Sequence, residues 1–340
     1  MVSGGRAPLT APRRRAIAAF LAAAALVWWH VHRADLFYLV GVGEPASTLL
    51  GPLLPAVSAG LAAALALSVV DAAAGPVAGA IAALVVVVLP GFLPLHLASL
   101  SGPPLLALTL MMLGLMLEAP RFSVAYGAVA ATAAVYVDPA GIGLPLAAIS
   151  WALLGRRSAG GSTGGAWPRV GFAVLPLVVA LAAARWTGDA WPDGGVLAWR
   201  GRLDEGLHAA GTIVGDQLAP TLGSGALRWF AIADVSLLLL AVLAVAWRRS
   251  PAAGRTRVTL RSYFLATAVM VASIIAGLTA RWLVFPDSPA PSLDGVFPVV
   301  ALLAMACVAA VASLWPRWPR WGKVVTLMLA VGWLQAALRA

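Results

Sequence analysis

The residues best suited to chemistry crowd into one short stretch, "WWHVHRADLFYLVGVGE", Trp28 to Glu44. His30, His32, Arg33, Asp35 and Glu44 fall there, in a chain of which only 11% is charged. Asp35 offers a carboxylate that can take the proton of an acceptor hydroxyl, the task of a general base in group transfer. The same position also suits a solvated acid beside Arg33. His30 and His32 form H-x-H, which supplies two metal ligands and needs His96, Asp35 or Glu44 to complete a site. Histidine and tryptophan rings at the end of an apolar span also sit at head-group depth with no metal. Nothing in the sequence demands a metal or another cofactor.

A few further residues stand out by place. Arg281, in "TARWLVFP", can fork onto a phosphate or snorkel to a membrane interface. Asp234 is the one acid inside an apolar run, where it serves either a structural hydrogen bond or a function. Asp71 and Glu118 close apolar runs and read as structural. Cys307 is the single cysteine and reads as a small buried hydrophobe, so no intrachain disulfide exists. Walker, dinucleotide, H-E-x-x-H and G-x-S-x-G signatures are missing, which removes support for ATP-driven transport and hydrolysis.

The elements that must position these residues are membrane spans. Hydrophobic residues make up 61% of the chain, in runs separated by Pro, Gly and Arg clusters. The pattern predicts an all-α, polytopic bundle of about eleven spans. They fall near 15–31, 49–70, 76–95, 103–118, 122–137, 140–154, 170–185, 229–247, 262–284, 296–315 and 322–338. Residues 16–30 are expected to stay as the first span, because Trp28-Trp29-His30 is no cleavage site. With the Arg-rich N-terminus inside, cytoplasmic segments gather sixteen of the 23 basic residues, and outer segments gather ten of the 13 acids. That asymmetry orients the chain with a cytoplasmic N-terminus and an outer C-terminus. It accounts for the net charge of +10 without nucleic acid, and it favours anionic lipid. The sparse Asn, Gln and Lys suggest a GC-rich bacterial genome and hence an inner membrane.

"GRRSAGGSTGGAWPR" (155–169) reads as a flexible cytoplasmic linker. It separates a six-span N-terminal module (1–154) from a C-terminal membrane module (170–340) with a long outer loop, 186–228. In that loop Leu203, Leu207, Ala210, Val214 and Leu218 recur at helical spacing, which predicts an amphipathic helix on the outer membrane face. The halves show no internal repeat.

The order of these features resembles the N-terminal module of C-type integral-membrane glycosyltransferases, the superfamily of protein O-mannosyltransferases and lipid A aminoarabinose transferases. "ADLFYLVG" is similar to that family's acidic first outer loop, through Asp35 and Tyr38. "LPGFLPLH" is similar to its "LP-x-F/L" stretch, through Leu89, Pro90 and Phe92. "RWLVFP" is loosely similar to its R-Y-x-x-P-x-x-P segment, through Arg281, Trp282 and Pro286. The likeness covers about residues 25–155 and a patch near 280–300. Two departures are plain. Leu36 stands where the family has a second acid, and "PLHLASLSGPP" offers His96 where an acid is frequent.

The resemblance implies a polyprenyl-phosphate-linked sugar as donor, drawn from the lipid bilayer, and an acceptor at the periplasmic face. Asp35 would be the catalytic base. Arg281 and His96, with Tyr38 and Glu44, would bind substrate. The alternative is a non-catalytic membrane subunit or lipid-binding accessory on the same scaffold. A secondary transporter ranks last.

Overall fold

The computed structural model describes residues 11–39, 53–98, 102–118, 139–158, 196–218, 243–245, 258–284 and 292–337. Every element among them is helical. In order they are α1 (Ala11–Leu39), α2 (Leu53–Ala74), α3 (Pro76–Val88), α4 (Phe92–Ala98) and α5 (Gly102–Glu118). A 3-10 turn (Pro139–Ile142) leads into α6 (Gly143–Ser158), followed by α7 (Val196–Leu218), α8 (Leu260–Val284) and α9 (Leu293–Leu314). A second 3-10 turn (Trp315–Arg317) joins α9 to α10 (Arg320–Ala337). Three helical stretches are long and apolar enough to cross a membrane: Leu53–Ala74, Leu260–Thr279 and Leu293–Arg317. The expected segments at 122–137 and 170–185 lie outside the described residues, as do Asp234 and most of the linker 155–169, whose first four residues instead continue α6 to Ser158.

Lipid tails are as apolar as leucine, so hydrophobicity alone does not hold such helices together; close packing of small residues does. α2 shows this directly. Ala59, Ala62, Ala63 and Ala66 are almost fully buried, at helical spacing. α1 and α3 pack along the same helix. At Gly60 a Cβ would stand 2.8 Å from the Phe20 carbonyl oxygen of α1. At Gly79 it would stand 2.6 Å from the Leu67 carbonyl oxygen. The turn between α2 and α3 needs Gly75, whose φ of 93° lies in the left-handed region, and Pro76 then starts α3 with a preset φ.

α9 is the central helix. Beyond Asp294 in its first turn its residues are apolar nearly all round, and it contacts α2, α3, α5, α7 and α8. α8, capped by Thr259 Oγ1 accepting from the Ser262 amide at 3.1 Å, packs against α6 and α9. The tightest crossing joins α8 to the start of α6. At Gly277 a Cβ would lie 2.7 Å from the Gly143 amide nitrogen, and at Gly143 it would collide with the Ile274 Cα.

The bundle therefore has two distinguishable ends. One holds Arg15, Asp71 and the Gly75 turn. α3 runs from there to Val88, and Phe92, opening α4, meets Phe297 in the first turns of α9. The second end accordingly holds α4, Gly102, the start of α9 and the Gly143–Gly277 crossing. α7 is a helix, as the outer-loop spacing predicts, and it packs on α8 and α9. The edge it presents runs through Gly206, Ala210, Ile213 and Val214, while Leu207 is 63% exposed.

Candidate functional site

The Gly102 end carries a buried histidine and a carboxylate at a helix crossing. Leu89-Pro90-Gly91 breaks the path of α3: the Leu89 amide makes the last α-type bond, and the Phe92 amide donates to the Leu89 carbonyl at 2.8 Å. The chain restarts as α4, which contacts α1, α2, α3, α5 and α9. That enclosure buries His96, which is only 1% exposed. Its Nδ1 lies 2.6 Å from the Phe92 carbonyl oxygen. A carbonyl only accepts, so Nδ1 carries the proton and donates. Nε2 is then an unprotonated acceptor, buried and, among the described residues, without a partner. The ring lies against Phe92, with centroids 4.3 Å apart and the planes tilted by 41°. Burial pushes the His96 pKa down to about 4, with the Phe92 bond opposing.

His96 is thus a neutral imidazole at ordinary pH, with one free lone pair. It can accept a hydrogen bond from a hydroxyl. In that state it offers no hydrogen to a phosphate oxygen, because both would be acceptors.

Asp294 is the neighbour that sequence reasoning left without a role. It stands in the first turn of α9, where a carboxylate is favoured by the helix dipole. Its Oδ1 lies 2.7 Å from where a Gly102 Cβ would be, so the carboxylate also reaches the start of α5. The signal was present: an acid just after Ser292, opening an apolar run, is a helix-start pattern. The Gly102 partner is invisible in sequence.

The expected site residues divide as follows. Asp35 and Tyr38 lie in the last turns of α1, about 30 Å along the axis from Arg15 for Asp35 at 1.5 Å per residue, toward the end that holds His96. Arg281 lies one turn beyond Gly277 on α8, at the same end. The helix carrying Asp35 packs against the helix carrying His96. α8 reaches this neighbourhood through α5 and α9. Glu44 lies outside the described residues. His30 donates from Nδ1 to the Leu26 carbonyl at 3.0 Å, a bond within its own helix. Among the described residues, no three of His, Cys, Asp and Glu gather as metal ligands.

No family model matches the chain, and neither a curated protein nor a solved structure does. The chemistry has therefore to be argued from the chain itself.

Proposed function

We propose that the chain is a membrane glycosyltransferase of C-type architecture. It moves a sugar from a polyprenyl-phosphate donor in the bacterial inner membrane to an acceptor at the periplasmic face. In full the bundle has about eleven spans, with a cytoplasmic N-terminus and α7 lying along the outer interface. Asp35 takes the acceptor proton, Arg281 holds the donor phosphate, and His96 accepts a hydrogen bond from a sugar hydroxyl. Tyr38 and Glu44 complete the substrate contacts.

The observation that carries this reading is the packing of α1 on α4. The helix bearing the proposed base and the helix bearing a buried, neutral, unpartnered histidine meet at one end of the bundle, with Arg281 entering the same end on α8. The accessory reading is favoured by a different fact. His96 is 1% exposed, so a sugar reaches it only if neighbouring side chains move.

The deciding experiment compares membranes with and without the chain, supplied with radiolabelled polyprenyl-phosphate mannose, glucose and aminoarabinose. Glycosylated product that depends on the chain supports the enzyme. Labelled donor left intact in every case, with the chain inserted and abundant, favours the accessory.

A further inference from the structure

The turn between α9 and α10 is built from "LWPRWPRWGK", Leu314 to Lys323. Two prolines fix its course, at Pro316 inside the 3-10 turn and at Pro319 just before α10. Its tryptophans are set by contacts. The Trp318 amide donates to the Trp315 carbonyl at 3.3 Å, and the two indoles meet edge to face with centroids 6.5 Å apart. Trp318 also lies against Gly322, where a Cβ would be 3.3 Å from the indole Cδ1. Lys323 Nζ sits over the Trp315 ring, 5.6 Å from its centroid.

Arg317, Arg320 and Lys323 project from this frame, the two arginines exposed and the lysine half-buried. Among the described residues none of the three forms an ion pair. No acidic residue follows Asp294 anywhere in the sequence, so the local charge is uncompensated along the chain. Beyond the elbow, α10 turns apolar and exposed: Trp321 is 72%, Val324 55%, Met328 69% and Val331 61% exposed. Those four recur on one face at helical spacing.

We infer that this elbow is a docking surface for anionic glycerophospholipid, at the end of the bundle that holds Arg15 and Asp71. The chemistry is complementary at two depths. The guanidinium groups of Arg317 and Arg320 fork onto the lipid phosphate, with Lys323 adding a point charge. Trp315, Trp318 and Trp321 occupy head-group depth, where amphipathic rings favour both sides of the boundary. Val324, Met328 and Val331 then lie along the acyl chains. A zwitterionic lipid offers the same phosphate and apolar face, but its own ammonium offsets the phosphate and leaves the three cations without net compensation. This docking does not depend on whether the chain transfers sugar.

The test uses the full chain purified in neutral detergent and titrated with phosphatidylglycerol or phosphatidylcholine, counting bound lipids by native mass spectrometry. Phosphatidylglycerol should bind the unaltered chain more tightly than phosphatidylcholine. The triple variant Arg317→Gln/Arg320→Gln/Lys323→Gln should weaken its first binding step by roughly fivefold per charge, on the order of 10²-fold in all. Arg317→Lys/Arg320→Lys keeps the charge and should retain most of the preference. Arg13→Gln/Arg14→Gln, at a separate basic cluster, should leave the step nearly unchanged. Soluble glycerol phosphate should compete poorly, because it lacks the acyl chains that α10 covers.

Equal affinity for the two lipids in the unaltered chain overturns the inference, a measurement that needs no variant to fold. So does a triple variant that keeps its phosphatidylglycerol preference. A lipid-indifferent chain that dimerises through Val324 and Met328 assigns the surface to a second copy instead.

Discussion

Arg15 of α1 and Asp71 of α2 form an ion pair, 3.1 Å from guanidinium nitrogen to carboxylate oxygen, which joins the two antiparallel helices near the Gly75 turn. Asp71 is the more enclosed partner, with 17% of its side chain exposed against 38% for Arg15. A pair this accessible is partly screened by solvent, so its net worth is modest. A double-mutant cycle of Arg15→Ala and Asp71→Ala should give a coupling of about 1 kcal/mol in equilibrium unfolding from mixed micelles. The coupling should shrink at high salt. A value indistinguishable from zero would show that α1 is held by its packing on neighbouring helices and not by this charge pair.

The glycines separate into those that packing requires and those it does not. Gly277→Ala places a methyl 2.8 Å from the Gly143 Cα, where backbone rather than a movable side chain must give way. It should cost about 1–3 kcal/mol or more and lower the unfolding temperature. Gly332→Ala, also within a helix, meets nothing within 4 Å. That change should be neutral or stabilise by up to about 1 kcal/mol through helix propensity. Equal effects of the two changes would mean that α6 and α8 do not cross as described.

Protonation of His96 opposes its burial. Its folded pKa of about 4 lies below the ordinary value of 6.5, so the unfolded chain binds the extra proton first as pH falls. Stability linked to His96 is therefore complete near pH 7 and is lost between pH 6.5 and about 4, on the order of 3 kcal/mol across that interval. His96→Phe, beside Phe92 and Phe297, should remove that part of the slope. Parallel pH profiles for the two proteins in micelles would contradict the buried neutral ring.

The helices were legible because apolar runs and their breakers are local. The apolar runs at 49–70, 103–118, 262–284 and 296–315 overlap α2, α5, α8 and α9, and 140–154 overlaps the turn and α6, of which α2, α8 and α9 supply the stretches long and apolar enough to cross a membrane. The single span expected over 76–95 is instead broken at Leu89-Pro90-Gly91, where Pro90 lacks an amide hydrogen to continue the ladder and α3 gives way to α4. What sequence reasoning missed are relationships across helices. Arg15 and Asp71 were each visible as span-end charges, but their pairing depends on how α1 slides along α2. Asp294 and Gly102 belong to distant segments that meet only when α9 and α5 lie side by side. Gly277 carried a faint signal, since glycine inside a helix is costly without a reason. Gly143 is that reason. His96 was singled out by residue type, whereas its neutrality comes from burial among helices that no spacing in the chain reveals.

The charge asymmetry makes a prediction about residues outside the described set. Reporter fusions at Gly161, in the Gly/Ser linker, and at Gly194, just before α7, should report opposite sides of the membrane, with Gly161 cytoplasmic. Both on one side would remove a span between them and reverse every assignment downstream.

Asp35 separates the enzyme from the accessory. Asp35→Asn keeps the size and polarity of the side chain and deletes the proton acceptor. If Asp35 is the base, sugar transfer in membranes should fall by about 10²–10⁴-fold while the chain inserts and accumulates normally. Arg281→Ala removes a charged partner of phosphate without touching proton transfer. It should raise the donor KM more than it lowers kcat. His96→Phe loses a hydrogen-bond acceptor for a sugar hydroxyl and should discriminate among donors that differ at one hydroxyl, while leaving the affinity for bare polyprenyl phosphate unchanged. These three signatures differ because the groups act on the acceptor proton, the donor phosphate and the sugar. A single common loss in all three would point to a fold defect, which the unfolding temperature would report. Full transfer activity in the Asp35→Asn protein would end its assignment as the base, and a retained preference among donors in His96→Phe would free that buried ring for a purely structural role.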